Sequence, residues 1–182
     1  MRINLHDGFY LSPVQEGDQA AYVEHLNDKA TSDCLLKIPY PYTQKDAEFW
    51  VRSCTDLKKT NGRPHHFAFR REDDFLIGGI GLYVGSGTAA HRGELGYWLA
   101  KDYRGRGLAS AGTQAIVLFG LTELGLKRIE ATTSTHNQSS QHVLERAGFT
   151  REGLLASYHI KDGNLIDVYM FSTLDPAAAS PS

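Results

Sequence analysis

A strand that passes through a glycine-rich, arginine-bearing turn into a long helix constrains this chain more than any other feature. It is written Glu94-Leu95-Gly96-Tyr97-Trp98-Leu99-Ala100-Lys101-Asp102-Tyr103-Arg104-Gly105-Arg106-Gly107-Leu108-Ala109. Residues 94–100 are rich in aromatic and branched side chains and short of turn formers. They read as a strand with Leu95, Tyr97 and Leu99 on one face and Glu94, Gly96 and Trp98 on the other. From Leu108 the period changes: Leu108, Ala111, Ala115, Leu118 and Leu121 predict a helix to about Leu124, where Gly125 ends it. The first N–H groups of such a helix have no partners within it, and its dipole adds partial positive charge at that end. A strand–turn–helix of this kind is built to hold phosphate. Gly105 and Gly107 let a ligand approach closely because they carry no side chain. Lys101, Arg104 and Arg106 add local positive charge to a chain whose net charge is −2.

Two phosphate-bearing ligands fit this turn. Gly105-x-Gly107-x-x-Ser110 partly imitates a dinucleotide-binding fingerprint, with Glu130 near the distance of a ribose-binding acid. Against it, serine replaces the third glycine, the upstream strands read as antiparallel hairpins, and the motif lies in mid-chain. The other ligand is acetyl-coenzyme A. Arg104-x-x-Gly107-x-Ala109 resembles the acyl-CoA signature of the GNAT acetyltransferases, Arg/Gln-x-x-Gly-x-Gly/Ala.

A second segment extends the likeness. Residues 129–134 form a strand candidate, and the run from Asn137 to Phe149 reads as a helix capped by Asn137, with Val143, Leu144 and Ala147 apolar and Gly148 placed for a left-handed stop. The Asn137-x-x-Ser140…Gly148-Phe149 pattern is similar to the second half of the GNAT core. Glu-Leu-Gly-Tyr-Trp-Leu at 94–99 and Asp167-Val168-Tyr169-Met170 resemble the RimJ/RimL branch, which acetylates the N-terminal amines of ribosomal proteins. The resemblance spans Gly8 to Thr173. It implies an α+β GNAT fold in three layers, a mixed central sheet of about seven strands with helices on both faces. It also implies acetyl-CoA as cosubstrate, with no metal.

Composition agrees. A chain of 182 residues with 41% apolar content supports one domain with a sizeable core, expected over 1–175, followed by a low-complexity, disordered tail at 176–182. The near-balanced charge offers no global field for nucleic acid or anionic lipid. The first residues contain no apolar run of the signal-sequence kind and no stretch reaches membrane-spanning length, so a cytoplasmic protein is expected, without nucleic-acid or membrane partners. A homodimer and a monomer both remain open. Cys34 and Cys54 have neither disulfide-framework nor metal spacing and read as reduced.

The remaining elements follow the same rules. Gly8–Pro13 is the first expected strand. Residues 16–30 form an expected helix with Ala20, Val23, Leu26 and Ala30 inward. The loop at Ile38-Pro39-Tyr40-Pro41-Tyr42 cannot be helical through two prolines, and Thr43 with Asp46 starts a helix from Gln44 to Lys58 that buries Ala47, Trp50, Val51, Cys54 and Leu57. Strands are expected at His65–Arg71 and Phe75–Val84. A closing hairpin joins Leu154–Ile160 to Leu165–Thr173 over Asp162-Gly163.

Acetyl transfer to an amine needs a neutral nucleophile, a donor for the oxyanion and a proton for the leaving thiolate. The resemblance implies cofactor contacts from Trp98, Leu99, Ala100, Arg104, Gly105, Arg106, Gly107, Leu108, Ala109 and Asn137, with a backbone N–H near Leu99 holding the oxyanion. It implies Glu94 or Glu130 as base and Ser140 as the acid beside the sulfur. Each has a purely structural alternative: Glu94 paired with Arg92, Glu130 a strand-surface charge, Ser140 a first-turn residue bonding its own backbone, Asn137 a cap alone. Tyr40, Tyr42, Tyr158 and His159 are loop and hairpin aromatics suited to line an acceptor slot. The acceptor is a protein N-terminal α-amine or a small amine such as an aminoglycoside, polyamine or amino acid. A non-catalytic CoA-binding module is the reading from another class.

Overall fold

A computed structural model describes residues 1–178, and its contacts gather into two units. One comprises residues 1–81 and 97–112; the other comprises residues 82–96 and the described residues from 113 onward. Eight strands are present among the described residues: β1 (Ile3–Asn4), β2 (Tyr10–Pro13), β3 (His66–Arg70), β4 (Leu76–Val84), β5 (Arg92–Leu99), β6 (Arg128–Ser134), β7 (Thr150–Lys161) and β8 (Asn164–Leu174). Their order is β1-β2-β3-β4-β5-β6-β8-β7. The β5–β6 ladder is parallel, while β1–β2, β2–β3, β3–β4, β6–β8 and β7–β8 are antiparallel. The strand beyond the expected seven is β1, whose two residues are too few for any periodicity to register.

The first unit holds β1 to β3, most of β4, the end of β5, and helices α1 (Gln19–Leu26), α2 (Lys29–Ser32) and α3 (Gln44–Asn61). The single helix expected over 16–30 is broken. Asn27 donates from Nδ2 to Val23 O at 2.9 Å and to Tyr42 O at 2.7 Å, and its Oδ1 accepts from Tyr42 N–H at 2.9 Å. Asp28 then caps α2 through Thr31 N–H. The buried face of α1 is Ala21, Tyr22 and Leu26; Ala20 and Ala30 are exposed. α3 begins with the expected capping box, Thr43 and Asp46 each satisfying the other's backbone N–H.

Trp98 is a core residue, 9% exposed, with its ring 5.8 Å from Tyr22 and 6.3 Å from His25. It explains two of the three glycines of β4. A Cβ on Gly78 would stand 2.4 Å from Trp98 O and one on Gly79 2.7 Å from Trp98 Nε1, so neither position admits a side chain. At the far end of β3 Arg70 is 1% exposed and fully engaged. Its Nη2 donates to Asp18 Oδ2 at 2.8 Å, its Nε to Ser12 Oγ at 2.6 Å and its Nη1 to Asp74 O at 2.9 Å.

The second unit holds β6, β7, β8, most of helix α4 (Leu108–Thr122) and helix α5 (Gln138–Arg146), which packs on β6 and β7. Ile129, Ala131 and Thr133 of β6 are buried and alternate with half-buried Arg128, Glu130, Thr132 and Ser134. The β7–β8 hairpin closes over Asp162 and Gly163, both with positive φ as a tight two-residue turn requires. Pro176–Ala178 form a single 3₁₀ turn; residues 179–182 of the expected disordered tail lie outside the described residues.

Candidate active site

In the first unit β5 ends at Leu99, a 3₁₀ turn spans Lys101–Tyr103, and Gly105-Arg106-Gly107 leads into α4. Gly105 and Gly107 have φ of +74° and +79°. That left-handed backbone strains any residue with a Cβ, and it turns the chain into the helix at the point where the first N–H groups are unpaired by construction. The space beside them is open: a Cβ on Gly105 would meet nothing within 4 Å, and one on Gly107 only His6 Nε2 at 3.7 Å. An open, side-chain-free cradle at a helix N-terminus fits a pyrophosphate.

Arg104 does a different job from the one its charge implies. Its Nε donates to Leu99 O at 2.9 Å and its Nη2 to Thr31 Oγ1 at 2.8 Å. The guanidinium therefore ties the turn to the end of β5 and to α2. Lys101, Arg104 and Arg106 are all exposed at the turn, and Arg106 lies over the Tyr103 ring at 5.6 Å. Tyr103 is itself fixed by Arg71, whose Nη1 donates to its hydroxyl at 3.1 Å. Beside the expected oxyanion donor, Ala100 N–H already donates to Ile77 O at 2.9 Å.

In the second unit Glu94 and Glu130 are register partners across the parallel β5–β6 ladder, so both side chains lie on one face. Arg92 pairs with Glu130, at 2.7 Å from Nη1 to Oε1, where the sequence offered Glu94 as its partner. Arg128 adds its Nε to Glu130 Oε2 at 3.0 Å and grips Glu152 with both terminal nitrogens, at 2.8 and 2.6 Å. Glu152 also accepts from Ser172 Oγ at 2.6 Å. The Arg128 guanidinium and the Ser172 hydroxyl hold the Glu152 carboxyl down at about 2.

Asn137 caps α5, its Oδ1 accepting from Ser140 N–H at 3.1 Å. The cap places Ser140 in the first turn of α5, just after the loop that leaves β6. On β7, Tyr158 is 51% exposed and His159 half-buried, with ring centroids 4.9 Å apart and planes at 75°. Tyr40, in the first unit, is exposed, with Lys29 Nζ 5.3 Å from its ring centre. Tyr42 departs from expectation. It is 7% exposed and packed in the core between α1 and α3, its main chain clamped by Asn27, so it does not present its ring to an acceptor.

Three residues to which the sequence reading gave no role at the site stand beside these groups. His6 reaches the edge of the glycine turn, Thr31 receives Arg104, and Asp167 bridges two segments of the second unit. Their partners are distant in sequence, so no local pattern marks them. Cys34 and Cys54 are free thiols, and burial pushes the Cys54 thiol up to about 12. Among the described residues no group of three or more His, Cys, Asp or Glu side chains is arranged to hold a metal ion, and no helix is long and apolar enough to cross a membrane.

The chain has known relatives. A model of the acetyltransferase (GNAT) domain matches residues 9–150. Over 136 residues the chain is 36% identical to the uncharacterized N-acetyltransferase p20 of Bacillus licheniformis, covering 74% of this chain and 75% of that one. The ribosomal-protein-S5-alanine acetyltransferase from Vibrio fischeri superposes with a TM-score of 0.86 over 100% of both chains at 19% identity. The spermidine N-acetyltransferase from Vibrio cholerae, solved with CoA and spermine, does so with a TM-score of 0.77 over 93% of this chain and 96% of that one, again at 19% identity. At such identities the two structures speak for the fold. With most of its length inside the family model, the chain belongs to the GNAT N-acetyltransferases, enzymes that take their acetyl group from acetyl-CoA.

Proposed function

We propose that this enzyme acetylates the N-terminal α-amine of a protein, with Glu94 as the base and Ser140 as the acid. Acetyl-CoA supplies the thioester, and the open turn at Gly105 and Gly107 binds its pyrophosphate through the backbone N–H groups that begin α4. Glu94 removes a proton from the attacking ammonium, directly or through water. As the amine nitrogen bonds to the acetyl carbon and the carbon–sulfur bond breaks, the Ser140 hydroxyl delivers a proton to the departing sulfur, and the nitrogen gives up its second proton through water to reprotonate Ser140, leaving a neutral amide and CoA thiol. The observation that carries the choice of base is the ion-pair chain on Glu130. Both of its oxygens accept from guanidinium groups, Arg92 on one and Arg128 on the other, which commits that carboxylate to the ion-pair chain, and the choice of Glu94 follows its place in the 94–99 segment that resembles the RimJ/RimL branch.

The likeness over the full chain to a ribosomal-protein acetyltransferase supports a protein acceptor. The likeness to a spermidine acetyltransferase supports a second reading in which the acceptor is a polyamine. Release of CoA thiol, followed with peptides of different N-terminal residues and with spermidine, decides between them. Turnover of an alanine-starting peptide well above spermidine is the expected result. Preference for spermidine would replace the first reading with the second.

A further inference from the structure

The β7–β8 hairpin is not regular. Leu155 faces Val168 and His159 faces Ile166, so three residues of β7, Ala156, Ser157 and Tyr158, stand opposite the single residue Asp167. A bulge of this size leaves the ladder unpaired locally and re-aims the side chains it carries. Ser157 takes φ of +52°, a left-handed conformation that a serine adopts only when its surroundings enforce it. What enforces it is Asp167. Its Oδ1 accepts from Ser157 N–H at 2.7 Å, a short, charge-assisted bond that replaces the missing ladder contact.

Asp167 also acts through its main chain. Its carbonyl oxygen accepts from Thr135 N–H at 3.2 Å, at the point where the chain leaves β6 for α5. That loop is tightly organised: Asn137 N–H donates to Ser134 O at 3.0 Å, Gln141 Nε2 to Thr135 O at 3.1 Å, and Asn137 caps Ser140. One residue therefore holds two segments at once. On one side is the loop that leads through Asn137 to Ser140 in the first turn of α5; on the other is the bulge that carries Tyr158, with His159 beside it.

We infer that Asp167 is a positioning residue for the acceptor amine. By fixing the bulge against the α5 loop, it sets where Tyr158 and His159 stand relative to Ser140. The inference rests on the reading above that Tyr158, His159 and Ser140 serve acetyl transfer. It assigns Asp167 no contact with either substrate.

The test compares Asp167→Ala, which removes the acceptor of the Ser157 bond, with Asp167→Asn, whose Oδ1 restores it. The probes are an alanine-starting hexapeptide and spermidine, assayed with whichever the unaltered enzyme acetylates. Asp167→Ala is expected to raise KM for the amine by roughly tenfold, the scale of one lost charged hydrogen bond. KM for acetyl-CoA and the thermal shift that acetyl-CoA produces should stay unchanged, and Asp167→Asn should recover most of the amine KM. Equal amine KM in all three proteins overturns the inference, as does a parallel rise in KM for acetyl-CoA, which would mark a general structural defect. Two further measurements stand apart from the variant's solubility. Amide exchange at Ser157 in the unaltered protein must be slow, and Tyr158→Ala, a change at an exposed ring, must raise the amine KM. Rapid exchange at Ser157, or an unmoved KM in Tyr158→Ala, also overturns it. If the unaltered enzyme acetylates neither probe, the acceptor reading fails by itself, and the Ser157 amide still decides whether Asp167 holds the bulge.

Discussion

Arg92 and Glu130 meet at 2.7 Å, and this pairing separates two carboxylates that look equivalent in sequence. Glu94 and Glu130 occupy the same rung of the β5–β6 ladder, yet Glu130 is shared by two arginines. Glu94→Gln should lower kcat by roughly 10²-fold at neutral pH, the scale of a lost general base. The loss should shrink as pH rises, because the acceptor amine then deprotonates unaided. Glu130→Gln should change kcat much less and instead cost about 1 kcal/mol of stability or less, the range of a partly exposed ion pair. Profiles of kcat against pH for both variants, with thermal melts, check this. Full activity of Glu94→Gln at every pH would remove Glu94 from the mechanism.

The glycine turn makes a separable prediction. Gly107→Glu adds a Cβ where φ is +79° and an anion where a pyrophosphate should sit. The shift in melting temperature that acetyl-CoA gives the unaltered protein should disappear. Arg104→Lys should behave differently, since the lysine cannot reach Leu99 O and Thr31 Oγ1 together. It should lower the melting temperature of the protein alone by a few degrees, the effect of about 1–2 kcal/mol in a chain of this size. A protein of unchanged stability that loses only acetyl-CoA affinity would instead make Arg104 a direct phosphate ligand.

What the sequence reveals here depends on the range of the interactions involved. α4, β6, α5 and the final hairpin are written in local periodicity and punctuation: Gly125 and Gly148 stop helices, Asn137 caps one, and Asp162-Gly163 turns a hairpin. The Arg104 signature likewise stands out by spacing. Its partner Thr31 lies 73 residues away, so the bond that ties the turn to α2 leaves no local trace. The same holds for Asn27, whose bonds to Tyr42 break a helix that periodicity alone would continue. Tyr42 was legible as a loop aromatic and is a core residue for that reason. Asp167 belongs to a motif that the family resemblance picked out, but its bond to Ser157 exists only because β7 bulges.

Arg70 and Asp18 form a buried pair at 2.8 Å, with side-chain exposures of 2% and 5%. Asp18→Ala would strand the guanidinium inside the protein with only neutral acceptors, Ser12 Oγ and Asp74 O. Removing one partner of a buried pair costs about 3–5 kcal/mol, so a fall in melting temperature on the order of 10 °C is expected. Asp18→Asn keeps an acceptor and should cost less. Equal melting temperatures for Asp18→Ala and the unaltered protein would mean that water reaches Arg70.

His66 gives the fold a pH dependence of definite sign. Its ring lies 4.8 Å from Trp50, and a Cβ on Gly81 would stand 2.2 Å from its Nδ1, so the imidazole fills a space that β4 leaves by carrying glycine. Burial, helped by neighbouring His65, pushes it down to about 4 from an ordinary 6.5. Between those values the unfolded chain binds a proton that the folded chain refuses, so the stability contributed by this group is complete above about pH 6.5 and is lost as pH falls toward 4. The loss amounts to no more than about 3 kcal/mol. His66→Phe keeps a ring beside Trp50 and cannot titrate. Urea unfolding at pH 7, 6 and 5 should show the unaltered protein weakening more than His66→Phe, with His65 and the carboxylates common to both. Identical losses in the two proteins would mean that His66 is protonated within the fold.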